Sequence, residues 1–145
     1  MRILITRIGA CDIPLPRYAT PGAVGADLAA AISEPLVINA GERELVPCGF
    51  AVAIPDGFEA QIRPRSGLAS KHGVTVLNTP GTIDSDYRGE VKVLLINHGK
   101  EPFTITPAMR IAQMVVAPVA RVEWEEVEDL PATERSGRGF GHSGT

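Results

Sequence analysis

Cysteine is almost missing from this chain. Cys11 and Cys48 are the only two among 145 residues, and no C-x-x-C spacing joins them. That argues against a disulfide-framed scaffold or a thiolate metal site and predicts two reduced thiols in a cytoplasmic protein. A basic excess is missing too. Fourteen Lys and Arg stand against seventeen Asp and Glu, for a net charge of -3, so there is no footprint for bulk nucleic-acid binding. A small anionic ligand needs only a few local cations and stays open. No apolar run approaches the ~20 residues of a membrane helix, and "VVAPVA" is broken by Pro118. The opening "MRILITRIG" lacks the apolar core of a signal peptide, so no membrane partner is expected. The three histidines, His72, His98 and His142, have no metal-ligand spacing and are expected to be structural or surface residues.

What is present is punctuation and short β-branched runs. Fifteen Gly and twelve Pro are spread along a chain that is 44% hydrophobic, enough for one domain with its own core. Between them lie "ILITRI", "PLVINA", "FAVAIP", "FEAQIRP", "VTVLN", "VKVLLIN", "FTIT" and "RIAQMVVAPVARV". Phe58, Ala60 and Ile62 alternate with Glu59, Gln61 and Arg63, the pattern of a half-buried strand. Strands this short and this frequent predict an all-β sandwich, jelly roll or barrel. Helical periodicity is confined to "SGLASKHG", where Ser66 is expected to cap a turn or two that Gly73 ends. "RIAQMVVAPV" is apolar on both faces, which suggests that another subunit covers its outer side. The end, "ATERSGRGFGHSGT", has no core pattern, so the chain divides into a β domain over residues 1–130 and a Gly/Ser-rich arm over 131–145.

Three segments carry chemistry. In "PRSGLASKHG", Arg65, Ser66 and Gly67 stand where a helix start offers free N–H groups, an arrangement suited to phosphate; simple capping by Ser66 is the alternative. In the arm, Gly139, Gly141 and Gly144 match G-x-G-x-x-G by count only, since no strand precedes them and no helix can follow. The arm still carries Arg135, Phe140 and Ser143, a cation, a stacking ring and a hydroxyl. The third segment is "GTIDSDYRGE". Counted from Asp84 as a calcium loop, it puts Arg88 at the fifth position and Leu95 at the twelfth, which rules that loop out. A hairpin fits better: "VTVLN" enters, "DSDYRG" turns and "EVKVLLIN" leaves, with Tyr87 at the tip and Asp86 and Glu90 solvated.

Taken together and in this order, these pieces resemble the trimeric dUTP diphosphatases. "AVGADLAA", "PRSGLA", "NTPGTIDSDYRGEV", "RIAQMV" and "RSGRGFGHSG" are similar to that family's five segments. The resemblance implies an antiparallel jelly-roll, or β-clip-like, barrel with one short helix, assembled as a homotrimer whose sites each draw on three chains. It implies Mg²⁺-dependent cleavage of dUTP to dUMP and pyrophosphate, which keeps uracil out of DNA and supplies dUMP for dTMP synthesis. It also implies that the arm closes over a neighbouring site, which accounts for a coreless tail.

The same resemblance implies roles. Asp84 would activate the attacking water. Tyr87 would pack under the deoxyribose. Asn78 and the main chain at Gly81, Thr82, Ile83 and Lys92 would read the uracil edge. Arg65, Ser66, Gly67 and Gln113 would hold phosphates, and Asp27 would hold a water of the Mg²⁺ shell. From the arm, Arg135 would neutralise phosphate, Phe140 and Gly141 would cover the base, and Ser143 would touch phosphate. The arm departs from the family's Arg-Gly-x-Gly-Gly-Phe-Gly, because Ser136 and Arg138 stand where glycines are common; either Arg135 or Arg138 could be the closing cation. Two rivals share the fold: a dCTP deaminase, which would need an acid on the strand "VKVLLIN", and a catalytically silent nucleotide-binding trimer.

Overall fold

Short runs of alternating side chains settle the architecture. The computed structural model describes residues 1–10 and 12–138. It holds, in order, β1 (Leu4–Arg7), β2 (Arg17–Tyr18), β3 (Ala26–Ala29), β4 (Leu36–Ile38), β5 (Arg43–Pro47), β6 (Phe50–Ala53), β7 (Phe58–Arg63), α1 (Ser66–His72), β8 (Val74–Val76), β9 (Gly81–Ile83), β10 (Lys92–Asn97), β11 (Phe103–Ile105) and β12 (Arg110–Pro118). Every strand pairing is antiparallel. The largest sheet runs β2-β3-β12-β7-β9; β5-β10-β8, β1-β6 and β11-β4 complete the jelly-roll barrel. Their inner faces meet in one core, where Leu28, Ile38, Val46, Phe50, Leu95, Ile105 and Ile111 are fully buried. Each such side chain contributes about 1.5–3 kcal/mol by leaving water.

One polar residue sits inside. Asn97 is wholly buried, and its amide donates to Ile38 O at 2.9 Å and Glu101 O at 2.8 Å while accepting from Gly99 N at 2.8 Å. With its amide partnered on both sides, it ties β4 and the turn after β10 together instead of destabilising the core.

Four expectations change. Ser66 does not cap α1. Arg65 is the cap residue, in extended conformation and with no side-chain cap bond, so the Ser66 hydroxyl is left for other use. Gly73 does end the helix: its φ is +69°, and a Cβ there would stand 2.6 Å from Gly99 N. The expected hairpin is interrupted. β8 does pair with β10, but β9 lies between them in sequence and joins β7 in the large sheet. Glu90 is not a solvated acid, because it accepts a hydrogen bond from Gly49 N at 3.0 Å. The last strand stops at Pro118, and residues 119–138 are exposed.

The central strand β12 also differs in its reason. Met114 and Val115 point to opposite faces, and both are 7% exposed in the single chain. Both faces are covered there without a second subunit. Uncovered apolar side chains lie elsewhere, among them Leu4 on β1, Val24 before β3, and Val122, Trp124 and Leu130 beyond β12.

Candidate functional site

The first cleft, of about 350 Å³, forms where β3, β12 and the start of α1 converge. Register pairs Asp27 of β3 with Gln113 of β12. Gln113 then donates through Nε2 to Pro64 O at 2.9 Å, anchoring the turn that leads into α1. Gly25 makes room for this amide; a Cβ there would collide with Gln113 Oε1. Arg65 reaches back from the turn. Its Nε lies 3.3 Å from Asp27 Oδ1, and its Nη1 donates to Arg110 O at 2.9 Å. Arg110 Nη1 donates to Asp27 Oδ2 at 2.8 Å. Ser66 and Gly67 complete the lining, and their N–H groups belong to the first helical turn, which has no internal acceptor for them. Nothing lies within 4 Å of where a Cβ on Gly67 would stand, so packing does not demand glycine there.

The second cleft, of about 280 Å³, is lined by Thr82, Ile83, Asp84, Tyr87, Glu90, Val91 and Lys92, with Leu45 from β5. A turn closes through Tyr87 N donating to Asp84 O at 3.2 Å, which presents the Asp84 carboxylate outward and exposed. Arg88 staples this turn by donating to Ser85 O at 2.6 Å and Tyr87 O at 2.8 Å. Tyr87 donates to Glu90 O at 3.0 Å. Beneath the cleft, burial and then the Glu90 charge push the Cys48 thiol up to about 12.

The expected residues therefore fall into two disjoint sets. Asp27, Arg65, Ser66, Gly67 and Gln113 line the first cleft; Thr82, Ile83, Asp84, Tyr87 and Lys92 line the second. Asn78 and Gly81 line neither, and are neighbours: the Asn78 amide nitrogen lies 3.3 Å from where a Cβ on Gly81 would stand. Arg135 is exposed and donates through Nε to Arg138 O at 3.0 Å. Phe140, Gly141 and Ser143 lie outside the described residues. Sequence reasoning gave no role to Arg110, Leu45 or Arg88. The "RIAQMV" and "DYRGE" segments contained two of them, but only geometry shows what their side chains hold.

One carboxylate, Asp27, edges the first cleft, and among the described residues no three His, Cys, Asp or Glu side chains cluster as a metal cage. That donor set fits a hard cation arriving on substrate phosphates and keeping its waters.

A barrel bearing a cleft with two arginines, and a second cleft with an exposed carboxylate beside a tyrosine, has the parts of a protein that handles a polyanion. The family model described as dUTPase matches residues 12–144. The chain is 60% identical over 130 residues to the deoxyuridine 5'-triphosphate nucleotidohydrolase of Rickettsia felis (strain ATCC VR-1525 / URRWXCal2), covering 90% of this chain and 88% of the relative. It is 61% identical over 130 residues, with the same coverage, to the protein of that name from Orientia tsutsugamushi (strain Boryong). Among solved structures, a mutant dUTPase of Staphylococcus bacteriophage 80alpha with dUpNHpp superposes with a TM-score of 0.89 at 23% identity, covering 99% of both chains. A mutant dUTPase from phage phi11 of S. aureus, described with a structural Mg(II) ion, gives 0.80 at 21% identity over 89% of this chain and 98% of that one. The chain belongs to the dUTPase family.

Proposed function

We propose that the chain hydrolyses dUTP to dUMP and pyrophosphate at sites assembled from the two clefts of different subunits. The observation that carries this reading is their disjoint chemistry: the arginines stand in one cleft and the exposed Asp84 in the other. Neither cleft alone has both a phosphate clamp and a base. A homotrimer that sets one subunit's first cleft against another's second would supply both.

In the assembled site Arg65, Ser66, Gly67 and Gln113 hold the phosphates. The open space beside Gly67 lets an oxygen approach the backbone. Asp84 accepts a proton from water, the water oxygen bonds to the α-phosphorus, and the bond to the bridging oxygen breaks, releasing pyrophosphate. Mg²⁺, when bound with the triphosphate, would offset charge on the phosphates, with Asp27 holding a water of its shell. Uracil is read by Asn78 and by the main chain of Gly81, Thr82, Ile83 and Lys92. Support comes from β9 being the edge of its sheet, so one side of its backbone has no ladder partner in that sheet. Such an edge presents donors and acceptors in fixed order and rejects a base whose pattern differs. Tyr87 packs under the deoxyribose and leaves no room for a 2′-OH.

The trimer reading rests on apolar surface. Trp124 is 90% exposed and Val122, Val127 and Leu130 are exposed beside it, more than a lone soluble subunit normally shows on one segment. Residues 131–145 act as the closing arm through Arg135 or Arg138, Phe140, Gly141 and Ser143. A cytoplasmic setting is consistent with a free, buried Cys48. No helix among the described residues is long and apolar enough to cross a membrane. The deaminase reading is not favoured, since β10 reads "KVLLIN" and carries no acid. Pyrophosphate release from dUTP with Mg²⁺ tests the proposal. Ammonia release from dCTP, or nucleotide binding without turnover, would overturn it.

A further inference from the structure

The first cleft contains an arrangement that the roles above leave unused. Among the described residues Asp27 is the only carboxylate lining it, 16% exposed, with one guanidinium on each oxygen. Left alone, that carboxylate would repel a triphosphate a few ångströms away. Arg65 meets Asp27 through Nε and the Arg110 carbonyl through Nη1. Its Nη2 has no protein partner among the described residues. Two of its three nitrogens thus have protein partners, which leaves Nη2 available to a phosphate in the cleft.

We infer that Arg110 is a positioning residue for phosphate binding: by pairing with Asp27 it cancels the carboxylate's repulsion and, with its own carbonyl, fixes the guanidinium of Arg65. This rests on the phosphate-clamp reading of Arg65. The charges support it. Arg65 and Arg110 against Asp27 leave one net positive charge, and removing the Arg110 side-chain charge leaves none. The geometry supports it as well. Arg110 opens β12 opposite Ala29 of β3, where the register shifts before Ala112, and its main-chain carbonyl accepts from Arg65. A side-chain substitution keeps that carbonyl and removes only the hold on Asp27. The half-exposed Arg110 packs into no core, so its loss should leave the fold intact.

The test is a double-mutant cycle on binding of a non-hydrolysable dUTP analogue, measured with EDTA so that no metal contributes. Arg110→Gln should weaken binding about tenfold or more in the wild-type chain, the scale of a lost charge-assisted contact. In an Asp27→Asn background, where no carboxylate needs neutralising, the same substitution should cost less than about threefold. Arg110→Lys, which keeps a cation beside Asp27, should recover most of the affinity. With dUTP and Mg²⁺, KM should rise while kcat holds. An equal loss in both backgrounds would mean that Arg110 binds phosphate directly, and no loss in the wild-type chain would mean that it does nothing here; either result overturns the inference. Failure of the wild-type protein to release pyrophosphate would sink the activity reading separately, because the cycle reads binding alone.

Discussion

The Tyr87 hydroxyl occupies the space that a Cβ on Gly89 would need. The ring lies folded across the glycine and is pinned by its bond to Glu90 O. Glycine two residues after the tyrosine is therefore a requirement of shape, not of backbone conformation. Gly89→Ala should displace Tyr87 without touching the ligand itself. We expect the preference for dUTP over UTP to narrow by about tenfold or more, as it should in Tyr87→Ala. Equal kcat/KM ratios in wild type and both variants would remove Tyr87 as the sugar gate.

Asp84 is exposed at the edge of its cleft and has no structural bond through its side chain among the described residues, so it can be altered without unfolding the turn. Asp84→Asn is expected to lower kcat by about 10²–10⁴-fold. Calorimetry with a non-hydrolysable analogue should still show binding. Turnover near that of the wild type would end its assignment as the base.

Cys48 makes stability depend on pH. Its thiol is held protonated to about 12 in the folded chain, against an ordinary value of 9.0. Below pH 9 both folded and unfolded thiols keep their proton, so the contribution is fully present. Between about pH 9 and 12 the unfolded chain gives up the proton and the folded chain does not, so stability falls by up to about 4 kcal/mol. Denaturant midpoints at pH 8 and pH 10.5 should separate for the wild type and separate less for Cys48→Ala. Equal separation in both proteins would mean that this thiol does not govern the alkaline loss.

A chain stopped after Leu130 should melt like the full chain and lose most turnover. Residues 131–138 are exposed, so they bring little to the core. In the proposed closing role the arm would exclude water and add cationic charge beside the leaving group. Undiminished dUTP hydrolysis by the shortened chain would show the arm to be dispensable.

Much of the fold was legible where apolar and polar residues alternate, as in β7, or where β-branched residues recur, as in β8, β10 and β11. Strand β3 was not, because "ADLA" offers small side chains and an acid; it becomes a strand by pairing with β12. β5 was hidden by its charges, since Arg43, Glu44 and Leu45 are exposed and only Val46 of the strand is buried. β9 was hidden by its glycine and the turn before it, and only its pairing to β7 makes it a strand. At the site, segments local in sequence, such as Asp84 to Glu90, could be read as units. The contact of Asp27 with Arg65 and Arg110 could not, since the three residues lie on separate elements and no spacing rule links them.

Sites shared between subunits, as proposed, would have a genetic consequence. Two broken copies of this protein need not add up to a broken population. A chain lacking Asp84 still offers a sound first cleft, and a chain lacking Arg65 still offers a sound second one. Mixed within one assembly, they would rebuild working sites wherever the intact halves meet, about one quarter of all sites for equal random mixing of two chain types. Two null alleles carried together would then be less harmful than either alone.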